Sequence, residues 1–242
     1  MAADKDRDGN ESGAATARSF MALPGRAEDR REPFLGCVAE VVRILGLTVA
    51  PEPQPGGPPT WEHRARAALR EACRRGMDLS GAAFDALVRA AVHDPDPSFN
   101  RQFVEPALNA FGRRRVQAAL LGYLRTGTDP ERAGAARAWY WSALPLRMPL
   151  VRAAEAGDGD SDRDSDGDSD VATVVTEWNE AALRAFVNNE HLDVRRCVLP
   201  GLALRRSAYP PALRDLVDAA VAIARSHPDE YIRHRVEHQI GD

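Results

Sequence analysis

Two imidazoles and a carboxylate lie close together in the sequence His234-Arg-Val-Glu-His238. Residues four apart share one face of a helix, so His234 and His238 would point the same way, with Glu237 beside them. Histidines at this spacing can bind Zn²⁺, and the carboxylate could act as a general base. A catalytic zinc needs a third protein ligand, which chains with this pattern take from a glutamate well downstream. The sequence ends at Asp242, so we expect no zinc catalysis here.

Alternating aspartates form a second candidate site. Three of them and a glycine match the opening of a calcium-binding EF-hand loop: Asp162, Asp164, Asp166 and Gly167. The twelfth position of such a loop carries a bidentate glutamate, and here it is Thr173. The pattern therefore predicts a solvated acidic loop over 155–170, with weak binding of a divalent cation as the alternative.

A run of three aromatic residues is a candidate for binding a partner: Trp139, Tyr140 and Trp141. Successive residues of a helix point about 100° apart, so the three cannot all face the core and at least one should lie near the surface. An exposed aromatic side chain is typical of protein interfaces. A wide buried face, with a structural role only, is the alternative.

A basic run is the second candidate for partner binding: Arg113, Arg114 and Arg115. The run begins a predicted helix, where the macrodipole disfavours cations. We therefore expect these guanidiniums to face an anionic partner or the acidic loop of the same chain.

Other reactive patterns are missing from the sequence. It has no glycine-rich phosphate loop, no nucleophile elbow and no paired-cysteine metal motif, so we expect no enzyme activity and no cofactor. The three cysteines are far apart in apolar helical patterns, which predicts buried, reduced thiols and a cytoplasmic location: Cys37, Cys73 and Cys197. No stretch approaches the roughly 18 apolar residues of a membrane-spanning helix, so we expect no membrane association.

Composition favours an all-helical chain. Apolar residues make up 44% of the sequence and aromatic residues 6%, and alanine and leucine dominate the periodic stretches. The net charge of −4 includes seven aspartates and one arginine within 158–170. A strongly basic surface for nucleic acid is therefore not expected. Only Lys5 among the 32 basic residues is a lysine, which is typical of a bacterial genome rich in G and C.

The chain divides into three parts. Residues 1–32 have no hydrophobic periodicity and are predicted to be a disordered tail. Residues 33–59 begin with a helical pattern and end in a stretch rich in proline and glycine, which predicts a helix followed by an extended linker. Helical patterns then follow one another over 60–242, interrupted by the acidic loop. The last of these predict helices over 193–206, 211–226 and 229–240.

Aspartates recur after short turns at the predicted helix starts: Asp96, Asp129, Asp193 and Asp229. Two of these starts align closely. The apolar spacing of Leu192-Asp-Val-Arg-Arg-Cys-Val-Leu199 matches that of Glu230-Tyr-Ile-Arg-His-Arg-Val-Glu237, and Arg195 aligns with Arg233. Such internal repetition is typical of repeat architectures.

The repeated pattern resembles that of bacterial HEAT-like repeat proteins, in which an aspartate-containing turn precedes an apolar residue, an arginine and further apolar residues every four positions. The resemblance covers about 190–240 well and about 96–144 in part. It implies a short α-solenoid of stacked antiparallel helix pairs, in which each pair buries the apolar face of the next. It also implies that the turn residues are structural and pair with neighbouring repeats: Asp193, Arg195, Asp229 and Arg233.

The resemblance, together with the missing reactive motifs, predicts a non-enzymatic scaffold or adaptor that binds another protein. Some HEAT-like proteins that resemble this chain in length are DNA alkylpurine glycosylases, which makes DNA binding an alternative. Two further alternatives involve the acidic loop. It could sense a divalent cation weakly, or it could regulate the protein by occupying Arg113–Arg115 in cis.

Overall fold

The computed structural model describes residues 21–25, 31–49, 60–145 and 163–240, and all regular secondary structure in these ranges is helical. The prediction of an all-α chain is confirmed. The described ranges contain α1 (Arg31–Ile44), α2 (Trp61–Arg74), α3 (Gly81–His93), α4 (Arg101–Phe111), α5 (Arg113–Thr126), α6 (Asp129–Ala143), α7 (Arg163–Asn188), α8 (Leu192–Val198), α9 (Arg214–Ser226) and α10 (Glu230–Ile240). Short 3₁₀ turns between α8 and α9 span Leu199–Gly201, Arg206–Ala208 and Pro211–Leu213.

The helix predicted over 193–206 is wrong in its second half. The α-helical segment ends at Val198 and continues as a single 3₁₀ turn over Leu199–Gly201. Pro200 has no N–H to donate to the preceding turn, so the α-helical hydrogen-bond pattern cannot continue through it. The two helices predicted after it correspond to α9 and α10.

The helices contact one another in two rows. In one row α1 contacts α3, α3 contacts α6, α6 contacts α8, and α8 contacts α10. In the other row α2 contacts α4, α4 contacts α5, α5 contacts α7, and α7 contacts α9. Successive helices alternate between the rows, except that α4 and α5 share one row and are joined at Gly112. The φ of 80° at Gly112 is one that glycine adopts without strain.

The helix α6 is enclosed by its neighbours and contacts α3, α4, α5 and α8. Every residue from Ala133 to Ala138 is buried. Five of these six residues are alanine or glycine, whose small side chains allow the surrounding backbones to approach closely, and the sixth is Arg137. A capping box starts the helix, because the N–H of Thr128 donates to Oε2 of Glu131 at 2.8 Å.

A buried ion pair joins α2 to the turn that follows α3. The Nη2 atom of Arg66 lies 2.6 Å from Oδ2 of Asp94, and the two side chains are 3% and 0% exposed. The guanidinium also lies 4.9 Å from the centre of the Phe34 ring. Burial raises the pKa of Asp94, and the charge of Arg66 offsets this in part. Loss of either partner would leave an unpaired charge in the interior, so the pair holds α2 against this turn.

Arg195 and Arg233 each donate to a carbonyl near the end of the preceding helix, although the two carbonyls are not at corresponding positions. The Nε atom of Arg195 donates to the carbonyl of Phe186 at 3.3 Å, near the end of α7. The Nη1 atom of Arg233 donates to the carbonyl of His227 at 2.6 Å, directly after α9. Each arginine therefore satisfies a carbonyl that the end of the preceding helix leaves without a helical partner.

The ion pair between neighbouring helix pairs differs from the one that the resemblance implies. It is formed by Arg196, whose Nη2 atom on α8 lies 2.5 Å from Oδ2 of Asp229 in front of α10. The other carboxylate oxygen of Asp229 accepts a hydrogen bond from the N–H of Ile232 at 3.1 Å, which caps α10. Burial acts to raise the pKa of Asp229, but these hydrogen bonds outweigh it and the pKa is lowered. Asp193 is buried within α8.

The same hydrogen bond closes both turns, on different acceptors. The N–H of His191 donates to Oδ1 of Asn189 at 2.7 Å, and the N–H of Asp229 donates to Nδ1 of His227 at 3.0 Å. Asn189 and His227 therefore accept the same kind of hydrogen bond at equivalent positions. Burial lowers the pKa of His227, and the charge of the neighbouring Arg195 lowers it further.

Part of the segment that was predicted to be a disordered tail lies against the helices. Residues 21–25 have no regular secondary structure, but the N–H of Met21 donates to Nε2 of His234 at 3.1 Å. The carbonyl of Pro24 accepts from Nη2 of Arg137 at 3.5 Å. The helix α1 begins at Arg31, within the last residues assigned to the tail.

Replacing Arg66 by methionine tests the buried ion pair. The substitution leaves the carboxylate of Asp94 buried without its cation, so we expect the free energy of unfolding to fall by roughly 3–5 kcal/mol in urea denaturation. Arg75→Met is the control, since Arg75 pairs with Glu71 on the surface of α2 and its loss should change stability by about 0.5 kcal/mol or less. Equal losses in both variants would show that the buried pair does not stabilise the fold.

The lowered pKa of His227 predicts a pH-dependent stability. The unfolded chain binds this proton more readily than the folded chain, so the free energy of unfolding should fall as the pH drops through about 6.5, the ordinary pKa of histidine. His227→Asn keeps a hydrogen-bond acceptor, as Asn189 does in the preceding turn, and should flatten this part of the pH profile. His63→Asn, at an exposed histidine, should keep the wild-type slope. An unchanged slope in His227→Asn would contradict the assignment.

Candidate partner-binding surface

Trp139 has a structural role. Its ring stacks on that of Trp178 with 3.9 Å between the centroids and 3° between the planes, which joins α6 to α7. Trp178 is 3% exposed, and Trp139 packs against the same core. Trp139 therefore has a buried, structural role, which was the alternative to partner binding for this run of aromatic residues.

Trp141 is held at the edge of the core. Its Nε1–H donates to the carbonyl of Pro97 at 2.9 Å, in the turn between α3 and α4. The guanidinium of Arg101 lies 5.0 Å from the centre of the Trp141 ring, and Glu105 holds that guanidinium at 2.5 Å. The indole is thereby fixed from the α3–α4 turn and from α4, so its orientation does not depend on α6 alone.

Tyr140 projects into solvent. Its side chain is 60% exposed, and together with Met21 it forms the set of exposed large hydrophobic side chains among the described residues. Its ring meets the edge of Trp141 at a centroid distance of 5.0 Å and an interplanar angle of 75°. The expectation that one of the three aromatics lies at the surface is confirmed.

The side chains of Arg113, Arg114 and Arg115 contact three different parts of the structure. Arg113 donates from Nη2 to the carbonyl of Leu144 at 3.0 Å, at the C-terminal end of α6. The Nε atom of Arg114 lies 3.2 Å from Oδ2 of Asp170, and both side chains are more than half exposed. Arg115 lies over the ring of Phe84, 4.3 Å from its centre. The carbonyls at the end of α6 offset the unfavourable position of Arg113 at the start of α5.

Only some of the six residues predicted to bind a partner therefore lie near one another. Tyr140 and Trp141 lie near the C-terminal end of α6, and the side chain of Arg113 reaches the carbonyl of Leu144 there from the start of α5. We call Arg113, Tyr140 and Trp141 the α6-end surface. Arg114 points instead to Asp170 at the start of α7. Trp139 is turned towards α7, and the guanidinium of Arg115 is stacked on rings of α3 and α4. Sequence reasoning missed Arg101, because its contact with Trp141 joins residues 40 positions apart without a shared motif.

The acidic segment differs from the prediction. Residues 163–170 form the first turns of α7, so the acidic loop predicted over 155–170 is wrong for that part, and 155–162 lie outside the described residues. Acidic side chains are favoured at a helix N-terminus, which explains why the helix extends into them. Asp164 and Asp166 therefore have helical backbone, and an EF-hand loop needs a looped one. Asp162 lies outside the described residues.

The two histidines of the zinc pattern do lie side by side, with ring centroids of His234 and His238 4.3 Å apart. However, Nε2 of His234 accepts the hydrogen bond from Met21, and Glu237 lies 3.1 Å from Nε of Arg225. A metal would have to displace both partners. Within the described ranges, no group of three histidine, cysteine or carboxylate side chains is arranged to hold a metal ion.

The three cysteines are free thiols. Cys73 and Cys197 are buried as expected, whereas Cys37 is half-buried. Burial raises the pKa of the thiols of Cys37 and Cys73, which keeps them protonated and weakly nucleophilic at neutral pH.

A cleft of about 500 Å³ lies between α5, α6 and α7 and was missed by the sequence analysis. Three arginines line it: Arg125, Arg132 and Arg184. Glu177 pairs with Arg125 at 2.9 Å and Asp129 pairs with Arg132 at 3.1 Å, which leaves little net charge for a ligand. The cleft had no sequence signal, because each arginine comes from a different helix or helix end.

Comparison of the chain with protein-family models, with curated proteins and with solved structures found no match. Among the helices of the described ranges, none combines the length and apolar character needed to cross a bilayer.

Adjacent residues of the aromatic run should respond differently to substitution. Trp139→Ala removes the stacking partner of Trp178, so we expect the free energy of unfolding to fall by about 2–4 kcal/mol. Tyr140→Ala removes an exposed side chain and should change stability by about 0.5 kcal/mol or less. Thermal and urea unfolding of the two variants checks this, and similar losses in both would contradict the assigned orientations.

Proposed function

We propose that this protein is a non-enzymatic scaffold that binds another protein through the α6-end surface of a short HEAT-like α-solenoid. The two rows of contacting helices support the solenoid part of the proposal. The contacts of Arg195 and Arg233 support a repeated helix pair, since two aligned arginines each donate to a carbonyl near the end of the helix that precedes them. Three free thiols are consistent with the cytoplasmic location that we propose.

The single observation that carries the proposal is the exposure of Tyr140 on a rigid support. A tyrosine loses little conformational entropy on binding and offers both an apolar ring and a hydroxyl. Its neighbour Trp141 is fixed by Pro97 and Arg101, so the surface is largely formed before a partner arrives. Interfaces gain affinity from such preorganised aromatic and arginine side chains.

Two exposed side chains indicate the chemistry of the partner. The ring of Tyr140 suits an apolar pocket. Arg114, at the start of α5, is 65% exposed, and its ion pair with Asp170 is a surface contact of about 1 kcal/mol or less, so a carboxylate of a partner could replace Asp170 at little cost. The partner that fits best therefore presents an apolar pocket for Tyr140 and an acidic group for Arg114.

The contact between Arg114 and Asp170 also favours a second function, regulation of partner binding by the acidic segment of the same chain. Asp170 is the last of the seven aspartates in 158–170, and it already occupies one of the three arginines in cis. In this form of the proposal, the acidic segment competes with the acidic group of a partner for Arg114.

Substitution of Tyr140 tests the proposed binding surface. Affinity capture at equal bait concentrations, quantified by mass spectrometry, should identify a protein whose recovery falls at least tenfold with Tyr140→Ala, since loss of an interface anchor costs about 2 kcal/mol or more. Tyr140→Phe retains the ring and should retain the partner. Arg70→Ala, on the exposed face of α2, is the control for a general surface effect. If no captured protein follows this pattern, the α6-end surface is not the binding site.

A further inference from the structure

Residues 21–25 lie across one row of helices. At one end of the segment the N–H of Met21 donates to Nε2 of His234 on α10, at 3.1 Å. Near the other end the carbonyl of Pro24 accepts from Nη2 of Arg137 on α6, at 3.5 Å. The helix α8 contacts both α6 and α10, so the segment extends over three successive helices of the row. We call the surface beneath it the α6–α10 face.

The side chain of Leu23 anchors this segment. It is half-buried and packs against the hydrophobic core, whereas Met21, Ala22 and Gly25 are exposed. One apolar side chain between two backbone hydrogen bonds is the pattern of an extended peptide bound in a groove. Residues 21–25 therefore contact the helices in the way that a bound peptide does.

The α6–α10 face offers one donor and one acceptor to the segment. Arg137 is 4% exposed, and its other donors reach the carbonyl of Pro95 and Sγ of Cys197, each at 3.0 Å. These contacts fix the guanidinium, so Nη2 is held in place for the carbonyl of Pro24. On the other side, Nε2 of His234 is the acceptor for Met21.

These contacts define the chemistry of a ligand. The face recognises a backbone N–H, a backbone carbonyl and an apolar side chain between them, and it makes no contact with a charged group of the segment. Every extended peptide carries the two backbone groups, so the leucine supplies the selectivity. Proline suits its position, because it has no N–H that would lose a hydrogen bond on burial.

We infer that the α6–α10 face is a binding site for an extended, uncharged segment with a leucine followed by a proline, and that residues 21–25 occupy it in cis until a segment of a partner replaces them. The segment has one neutral hydrogen bond to His234 and one long hydrogen bond, of 3.5 Å, from the guanidinium of Arg137, so it is held weakly enough to exchange. Its attachment to the same chain nevertheless gives it an effective concentration of about a millimolar. Arg137 lies three residues before Tyr140 on α6, but the test below leaves Tyr140 unchanged, so each proposal can fail without the other.

Displacement of the cis segment in the full-length chain tests the inference. Leu23→Asp puts a charge at the half-buried position and should release residues 21–25. The probe is an amidated, fluorescein-labelled peptide with the sequence of residues 19–25, Ser-Phe-Met-Ala-Leu-Pro-Gly. Fluorescence anisotropy should show that the Leu23→Asp chain binds this peptide at least tenfold more tightly than the wild-type chain does. Adding His234→Ala should weaken binding about fivefold, since one neutral hydrogen bond is lost.

Two controls make the result decisive. A labelled peptide with aspartate in place of its leucine should not bind the Leu23→Asp chain. Circular dichroism should show that the variant keeps its helical content, and Leu23→Ser replaces it if it does not. Equal peptide affinities of the wild-type and variant chains would overturn the inference. So would a wild-type dimer that the substitution converts to a monomer, because the segment would then come from a second copy.

Discussion

The guanidinium of Arg137 joins four parts of the chain that are distant in sequence. It extends from the enclosed helix α6 and donates to Pro95 after α3, to Cys197 on α8 and to Pro24 in the N-terminal segment. Burial of a cation is costly unless its donors are satisfied, so these acceptors must all be in place together. Arg137 therefore couples the position of α6 to that of α8, of the α3–α4 turn and of residues 21–25.

Arginines also complete the ends of several helices. Arg113 reaches the last carbonyl of α6, and Arg195 and Arg233 reach carbonyls at the ends of α7 and α9. A guanidinium suits this role because it is long, always charged and carries several donors in one plane. A cation at a helix C-terminus also interacts favourably with the macrodipole. These three arginines therefore stabilise helix ends.

The surfaces that are left for partners differ in character. Tyr140 is exposed beside the fixed indole of Trp141, which suits a partner with an apolar pocket. The face between α6 and α10 supplies a hydrogen-bond donor and an acceptor to a backbone, and residues 21–25 lie on it. Under the two proposals, the protein holds one partner at Tyr140 while residues 21–25 open or close the second site.

The sequence by itself determined the helical class, most helix positions and the presence of an exposed aromatic in the 139–141 run, because these follow from local periodicity, caps and the 100° rotation per residue. It also aligned Arg195 with Arg233. Only the tertiary structure decided which aromatic is exposed, that Arg196 pairs with Asp229, and that residues 21–25 lie on α6 and α10. These outcomes depend on contacts between residues tens to hundreds of positions apart. Side-chain spacing along one helix carries no information about them, because the neighbour that accepts a given hydrogen bond is set by how the helices pack.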